Sequence, residues 1–263
     1  MKTTVLSMMV AVLLVAVSHH QMYAQQAQQK AAYDDYDQNI AKMNVLALPF
    51  RNFSLQYERV VARKISVSLG VGIIPGGKLP MLSAFESYID DEATMEQLQG
   101  VRLNNQTFTL EPRFYLGKHD GPRGFYIAPY ARYSTYGLSF DEFEYTVELE
   151  HEGHYIEETR TIPLDGHIRG FTGGLQFGAQ WRIGRWVYLD WWILGGAYGT
   201  AKGKLTATAA LSAEEQSALR EELTDLEIPM VDTDVDVDGN GARLNMKGPW
   251  AGVRSGLAVG VRF

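Results

Sequence analysis

The chain has 263 residues, no cysteine, 26 glycines, 11% aromatic residues and a formal net charge of −7. Without cysteine there is no disulfide framework, no thiolate metal site and no lipid anchor on an N-terminal cysteine. The acidic balance speaks against a nucleic-acid partner, and the length allows one large domain or two small ones.

The first 24 residues read as a signal peptide. Lys2 supplies the positive charge, Val5–Val17 the apolar core, and a cut is expected after Ala24. That core is 13 residues long, short of the roughly 20 a membrane-spanning helix needs. Residues 25–41 are then expected to form a periplasmic N-terminal segment and 42–263 one domain.

Eight stretches alternate with a period of two and are predicted as strands: 42–50, 53–62, 64–74, 106–117, 124–139, 167–183, 185–199 and 250–263. In "ISVSLGVGI", Ile65, Val67, Leu69, Val71 and Ile73 oppose Ser66, Ser68, Gly70 and Gly72. The last stretch runs to the terminal residue, with Val253, Leu257, Val259, Val261 and Phe263 on one face and Arg254, Gly256, Ala258 and Gly260 on the other. Pro112 and Pro129 interrupt otherwise regular strands and are expected to mark bulges.

The connections alternate too. Apart from a tight first one, those at one end are long (75–105, 140–166 and 200–249), while those at the other end are short. This is the loop asymmetry of outer-membrane barrels. Segments 75–105, 140–165 and 201–247 hold 24 acidic and 8 basic residues, a net of −16. A soluble barrel with an apolar interior would leave Ser66, Ser68, Gly70 and Gly72 as its water-facing strip, with few charges around them. The inverse assignment fits better: apolar faces toward lipid, and Glu58, Glu111, Arg113, Arg132, Asp190 and Arg254 inward, where both signs can pair. The expected fold is therefore all-β, an eight-stranded antiparallel transmembrane up-and-down barrel with long extracellular loops bearing short helices.

With its signal peptide, eight strands and terminal "LAVGVRF", the chain resembles the small eight-stranded outer-membrane barrels of the OmpA, OmpX and OmpW class. "NVLALPFRNFSLQYERVVARKISVSLGVG", with Asn44, Leu46, Tyr57, Glu58 and Arg59, further resembles a Bacteroidota family of outer-membrane barrels of unknown function. The resemblance implies an outer-membrane location with both termini periplasmic. It also implies that Phe263 is the recognition signal for the barrel-assembly machinery.

"DTDVDVDGNG" carries Asp234, Asp236, Asp238 and Asn240 in the alternating spacing of a calcium loop, although Asn245 stands where a bidentate Glu belongs. Calcium is the one candidate cofactor; the competing reading is an acidic strand end facing water. Two loop segments look helical, opening on Ser83 with Glu86 and on Ser212 with Glu215 in the capping-box spacing. Leu219 and Leu223 lie on one face of the second.

In 140–166, Phe143, Tyr145, Val147 and Leu149 alternate with Glu144, Thr146, Glu148 and Glu150, and "YIEETRTIPL" can pair back. The fifth strand would then run near 80 Å at about 3.3 Å per residue, against a hydrocarbon core of roughly 30 Å. These residues are the candidate partner contact. The expected function is a non-enzymatic barrel whose acidic loops and protruding hairpin engage a surface protein or lipopolysaccharide. The alternative is OmpW-like transport of small apolar solutes.

Overall fold

A computed structural model of the chain describes residues 39–82, 92–151, 154–225 and 229–263. The expected signal peptide, most of the N-terminal segment and the Ser83/Glu86 cap lie outside the described residues. The elements in order are β1 (Asn39–Asn44), a 3-10 turn at Leu48–Phe50, β2 (Phe53–Ala62), β3 (Ile65–Lys78), α1 (Glu92–Gly100), β4 (Val101–Tyr115), β5 (Gly124–His151), β6 (His154–Ile183), β7 (Val187–Thr208), α2 (Ala213–Asp225), β8 (Asp232–Asp238) and β9 (Gly241–Arg262).

The strands form one antiparallel sheet in the order β1-β2-β3-β4-β5-β6-β7-β9-β8, and β1 also pairs with β9, Ile40–Asn44 against Arg262–Ala258. The fold is barrel-like, with minor helical content. It has nine strands among the described residues, not the expected eight. The addition, β8, pairs with β9 alone and comes from the aspartate run that had the look of a calcium loop.

Asn39, Phe263 and the connections 63–64, 116–123 and 184–186 share one end of the sheet, where the Phe263 N–H donates to the Asn39 carbonyl at 3.1 Å. Gly184 turns there with φ +69°, a conformation that costs glycine nothing. The longer connections gather at the opposite end.

The first strand differs from its expected span of 42–50. It starts at Asn39 and stops at Asn44, whose Oδ1 accepts from the Leu46 N–H at 3.1 Å. This side-chain turn, followed by Pro49 in the 3-10 turn and Arg51 at φ +54°, takes the chain out of extended geometry before the apolar run can pair.

Pro112 and Pro129 do not mark bulges. The β4–β5 ladder pairs Leu110 with Ala131 and Phe114 with Ile127, a constant register that sets the two prolines directly opposite each other; the three intervening pairs are missing. Both residues lack the N–H that a hydrogen-bonded pair would exchange, and losing two bonds at one site accounts for the gap. The ladders on either side run through both prolines, Val67 against Pro112 and Pro129 against Leu175.

The two faces are chemically opposite. Outside, Phe108, Tyr133 and Phe171 stand at one register across β4, β5 and β6. Phe114, Ile127, Phe177 and Leu194 continue a second apolar row nearer the short turns. Trp181, Trp186, Trp191 and Phe263 are exposed close to that end. Inside, many of the buried residues are polar or charged, Lys42, Glu58, Glu111, Arg113 and Asp190 among them.

Candidate functional site

The interior is built by alternation. Ile40, Lys42 and Asn44 on β1, Gln56, Glu58 and Val60 on β2, Glu111, Arg113 and Tyr115 on β4, and Tyr188, Asp190 and Trp192 on β7 are all buried. Small residues on the same inner surface leave room for these long side chains: Ser66 and Ser68 on β3, Gly178 on β6, and Gly256, Ala258 and Gly260 on β9. A Cβ at Gly178 would lie within the Tyr126 ring, and one at Gly256 would press on Asn44 and Trp192.

Six ions meet in this space. Asp190 Oδ2 lies 2.6 Å from both Lys42 Nζ and Arg113 Nη1, while the Tyr126 hydroxyl donates to Oδ1 at 2.8 Å. Glu58 pairs with Lys42 and accepts from the Ser66 and Tyr115 hydroxyls at 2.5 and 2.6 Å. Glu111 takes Arg113 Nη2 at 2.9 Å, Arg254 Nη1 at 2.5 Å and the Gln56 amide at 3.1 Å. Lys42 also donates to Gln180 Oε1 at 2.5 Å.

Three cations and three carboxylates make the cluster neutral. Burying a lone ion costs several kcal/mol, so such groups are tolerable inside only when paired and hydrogen-bonded together. Aromatic faces finish the packing: the Arg113 guanidinium lies 4.6 Å from the Tyr126 ring, and that of Arg254 lies 4.4 Å from Trp192 and 5.0 Å from Tyr130. The cluster occupies the lumen at this level and takes up every one of its carboxylates in ion pairs.

Of the residues singled out in the sequence as interior, Glu58, Glu111, Arg113, Asp190 and Arg254 come together in this one network. Arg132 stands apart. It is half-buried, donates from Nε to Thr109 Oγ1 at 3.3 Å, and has no carboxylate partner among the described residues. Sequence reasoning missed Lys42, Gln56, Tyr115, Tyr126 and Gln180 as members. The alternation Ile40, Lys42, Asn44 was the available signal for the first of them.

Of the candidate metal residues, Asp234, Asp236 and Asp238 are spread along β8 and Asn240 lies in the turn that follows it. Asp234 faces Asn245, Asp236 faces Arg243 with an exposed ion pair of 3.4 Å, and Asp238 Oδ1 accepts from the Asn240 N–H at 2.7 Å. A pleated strand carries alternate side chains in a line along one face rather than around a point. Among the described residues no three His, Asp or Glu side chains gather as metal ligands.

Phe263 is 71% exposed, with its ring centroid 6.4 Å from that of Tyr57. The backbone of Phe143, Tyr145, Val147 and Leu149 lies in β5 opposite Ile162, Arg160, Glu158 and Ile156; their side chains lie outside the described set. The Ser212 cap forms as a reciprocal box, Ser212 N–H to Glu215 Oε2 at 2.7 Å and Glu215 N–H to Ser212 Oγ at 3.3 Å. Leu219 and Leu223 of α2 pack with Leu211 against Val235, Val237 and Ala242, so this helix covers the β8–β9 ribbon.

No protein-family model and no curated sequence matches the chain. Among solved structures, the outer membrane protease OmpT from Escherichia coli aligns over 86% of this chain and 93% of its own at 9% identity, with a TM-score of 0.34. The translocator domain of autotransporter NalP from Neisseria meningitidis aligns over 94% and 97% at 13% identity, with a TM-score of 0.28. The resemblance to both is distant.

Proposed function

We propose that the chain is a non-enzymatic outer-membrane protein that displays an acidic β-sheet at the cell surface to a partner protein or to lipopolysaccharide. In this reading β1 to β7 and β9 form an eight-stranded transmembrane barrel with periplasmic termini, and β8 is an extracellular addition. The apolar exterior, the charged and neutralised interior, and the grouping of short turns with the chain end at Phe263 support it. Phe263 then serves barrel assembly.

The observation that carries the function is the length of the β5–β6 ladder. It continues past the Phe108, Tyr133 and Phe171 row to His151 opposite His154. From Tyr133 to His151 that is roughly 60 Å of strand at about 3.3 Å per residue, far more than crossing a bilayer requires. α2 packs on β8 and β9. In the hairpin, alternation of the sequence sets four apolar residues against acidic ones, a pattern suited to strand or surface docking.

The test is a variant in which Ser139 and Asp165, paired across the hairpin, are joined by a short turn in place of 140–164. It should insert as a folded barrel and lose the cross-linked partners of the wild type on intact cells. An unchanged set of partners would refute the display function.

A second reading, passage of small apolar solutes, is favoured by one observation: the break in hydrogen bonding at Pro112 and Pro129 is a weak point in the wall. Uptake of a hydrocarbon probe into vesicles containing the protein, faster than into empty vesicles, would decide for it.

A further inference from the structure

Above the ion cluster the lumen holds a cavity of about 30 Å³, lined by residues of β2, β3, β4, β5, β7 and β9. Its polar lining is made largely of donors. Trp192 and Arg254 are both more than nine-tenths buried, and each has a buried nitrogen without a hydrogen-bond partner, Trp192 Nε1 and Arg254 Nε. Orphaned donors of this kind are uncommon inside proteins and call for an acceptor.

Arg132 lines the same cavity and is the lumen cation without a carboxylate partner among the described residues. Glu111, the carboxylate in the lining, is already committed: Oε1 to Arg254, Oε2 to Arg113 and Gln56. The hydroxyls of Ser54, Thr107 and Thr109 complete the polar wall. The site therefore has one positive charge in excess and N–H groups fixed in place. Arg254 cannot swing away, because Glu111 holds its Nη1 at 2.5 Å and Trp192 and Tyr130 flank its plane.

We propose that this cavity is an internal binding site for a small monovalent anion of halide size, held by the Trp192 indole N–H, the Arg254 Nε–H and the Arg132 guanidinium. The volume is about that of one or two waters, which suits a halide. Water satisfies donors as an acceptor but leaves the excess charge, whereas an anion answers both.

The experiment uses the full mature chain refolded in detergent micelles. Its urea unfolding midpoint is titrated with sodium chloride and sodium bromide against sodium gluconate at constant ionic strength, since gluconate is too large for the cavity. The halides should raise the midpoint along a saturable curve of the form ln(1 + [L]/Kd), and gluconate should not. Arg132→Gln, which leaves no carboxylate stranded, should abolish the halide effect. Trp192→Phe keeps the ring, removes the donor and should weaken the halide by about tenfold or more, in line with hydrogen bonds to charged groups. Bromide-soaked crystals should show anomalous scattering beside Trp192 and Arg254. Equal midpoints in halide and gluconate, a halide effect unchanged in both variants, or water alone at the position would each overturn the proposal.

Discussion

Arg113 of β4 reaches across the lumen to Asp190 of β7 and meets its Oδ2 at 2.6 Å. The same oxygen holds Lys42 of β1 at 2.6 Å, so one carboxylate ties together three strands that are not neighbours in the sheet.

Replacing Asp190 by Ala should therefore leave two buried cations short of a partner. Breaking a buried pair from one side costs about 3–5 kcal/mol, to be measured as a lower unfolding free energy in urea titrations in micelles. The exposed pair Arg243–Asp236, at 3.4 Å, is the contrast: Arg243→Ala should cost under about 1 kcal/mol. Equal losses would mean that the interior ions are not sealed from water.

The opposed prolines predict a gain. Pro112→Ala and Pro129→Ala each restore one N–H to the broken stretch of the β4–β5 ladder. A new backbone hydrogen bond contributes about 0.5–1.5 kcal/mol, offset by about 0.4–1 kcal/mol from the freer unfolded chain. The net change in stability should be small for each, and the two substitutions should couple, because they face each other in the same gap of the ladder. The decisive readout is hydrogen exchange: amides 112 and 129 of the variants should be strongly protected. Fast exchange at both would show that the strands are splayed there for another reason.

The interior cluster predicts electrical silence. In planar bilayers the purified protein should give no steady conductance, because the paired ions and the rings of Tyr115, Tyr126 and Trp192 fill the interior. Sustained single-channel steps would show that the lumen stays open past Tyr115, Tyr126 and Arg113.

Assembly predicts a dependence on the last residue. Deleting Phe263 should lower the yield of heat-modifiable, folded protein in the outer membrane while leaving synthesis unchanged. Its structural part is small, one backbone bond to Asn39 and a ring beside Tyr57, so a normal yield would take the recognition role away.

For α2, Ser212→Ala should cost about 1 kcal/mol of local stability through loss of the cap. Limited proteolysis within 209–230 should quicken, while the barrel resists. Proteolysis at the wild-type rate would mean that packing on Val237 and Ala242 alone holds the helix.

Much of this was legible in the sequence, for a physical reason. A wall one residue thick, with unlike surroundings on its two sides, imprints period two on every strand, so the inward places of Glu58, Arg113 and Asp190 followed from alternation. Which ions meet did not follow, because that depends on stagger between strands far apart in sequence. Lys42 was lost because its strand was drawn too late, into an apolar run that the Asn44 turn removes from the sheet. β8 stands in the sequence as the alternative to a calcium loop, an acidic strand end facing water, but lies inside the long connection 200–249 and so is absent from the eight predicted strands. Yet "DTDVDVD" sets Asp against Val235 and Val237, a period-two pattern in its own right, and both valines pack in the cluster beneath α2.

β1, the shortest strand among the described residues, pairs with both β2 and β9. β1 has six residues, and on the β9 side it is held only along Ile40–Asn44. By backbone pairing alone this junction should be the first to unzip, since local opening follows the number of bonds to be broken. Lys42 sits in its middle with its ammonium on Glu58 and Asp190. Withdrawing β1 would pull that cation out and leave Glu58 and Asp190 to share Arg113 alone. The lysine thus acts as a latch: separating the short strand means breaking two buried ion pairs as well as its few backbone bonds, which ties the opening of this junction to the ionic cluster.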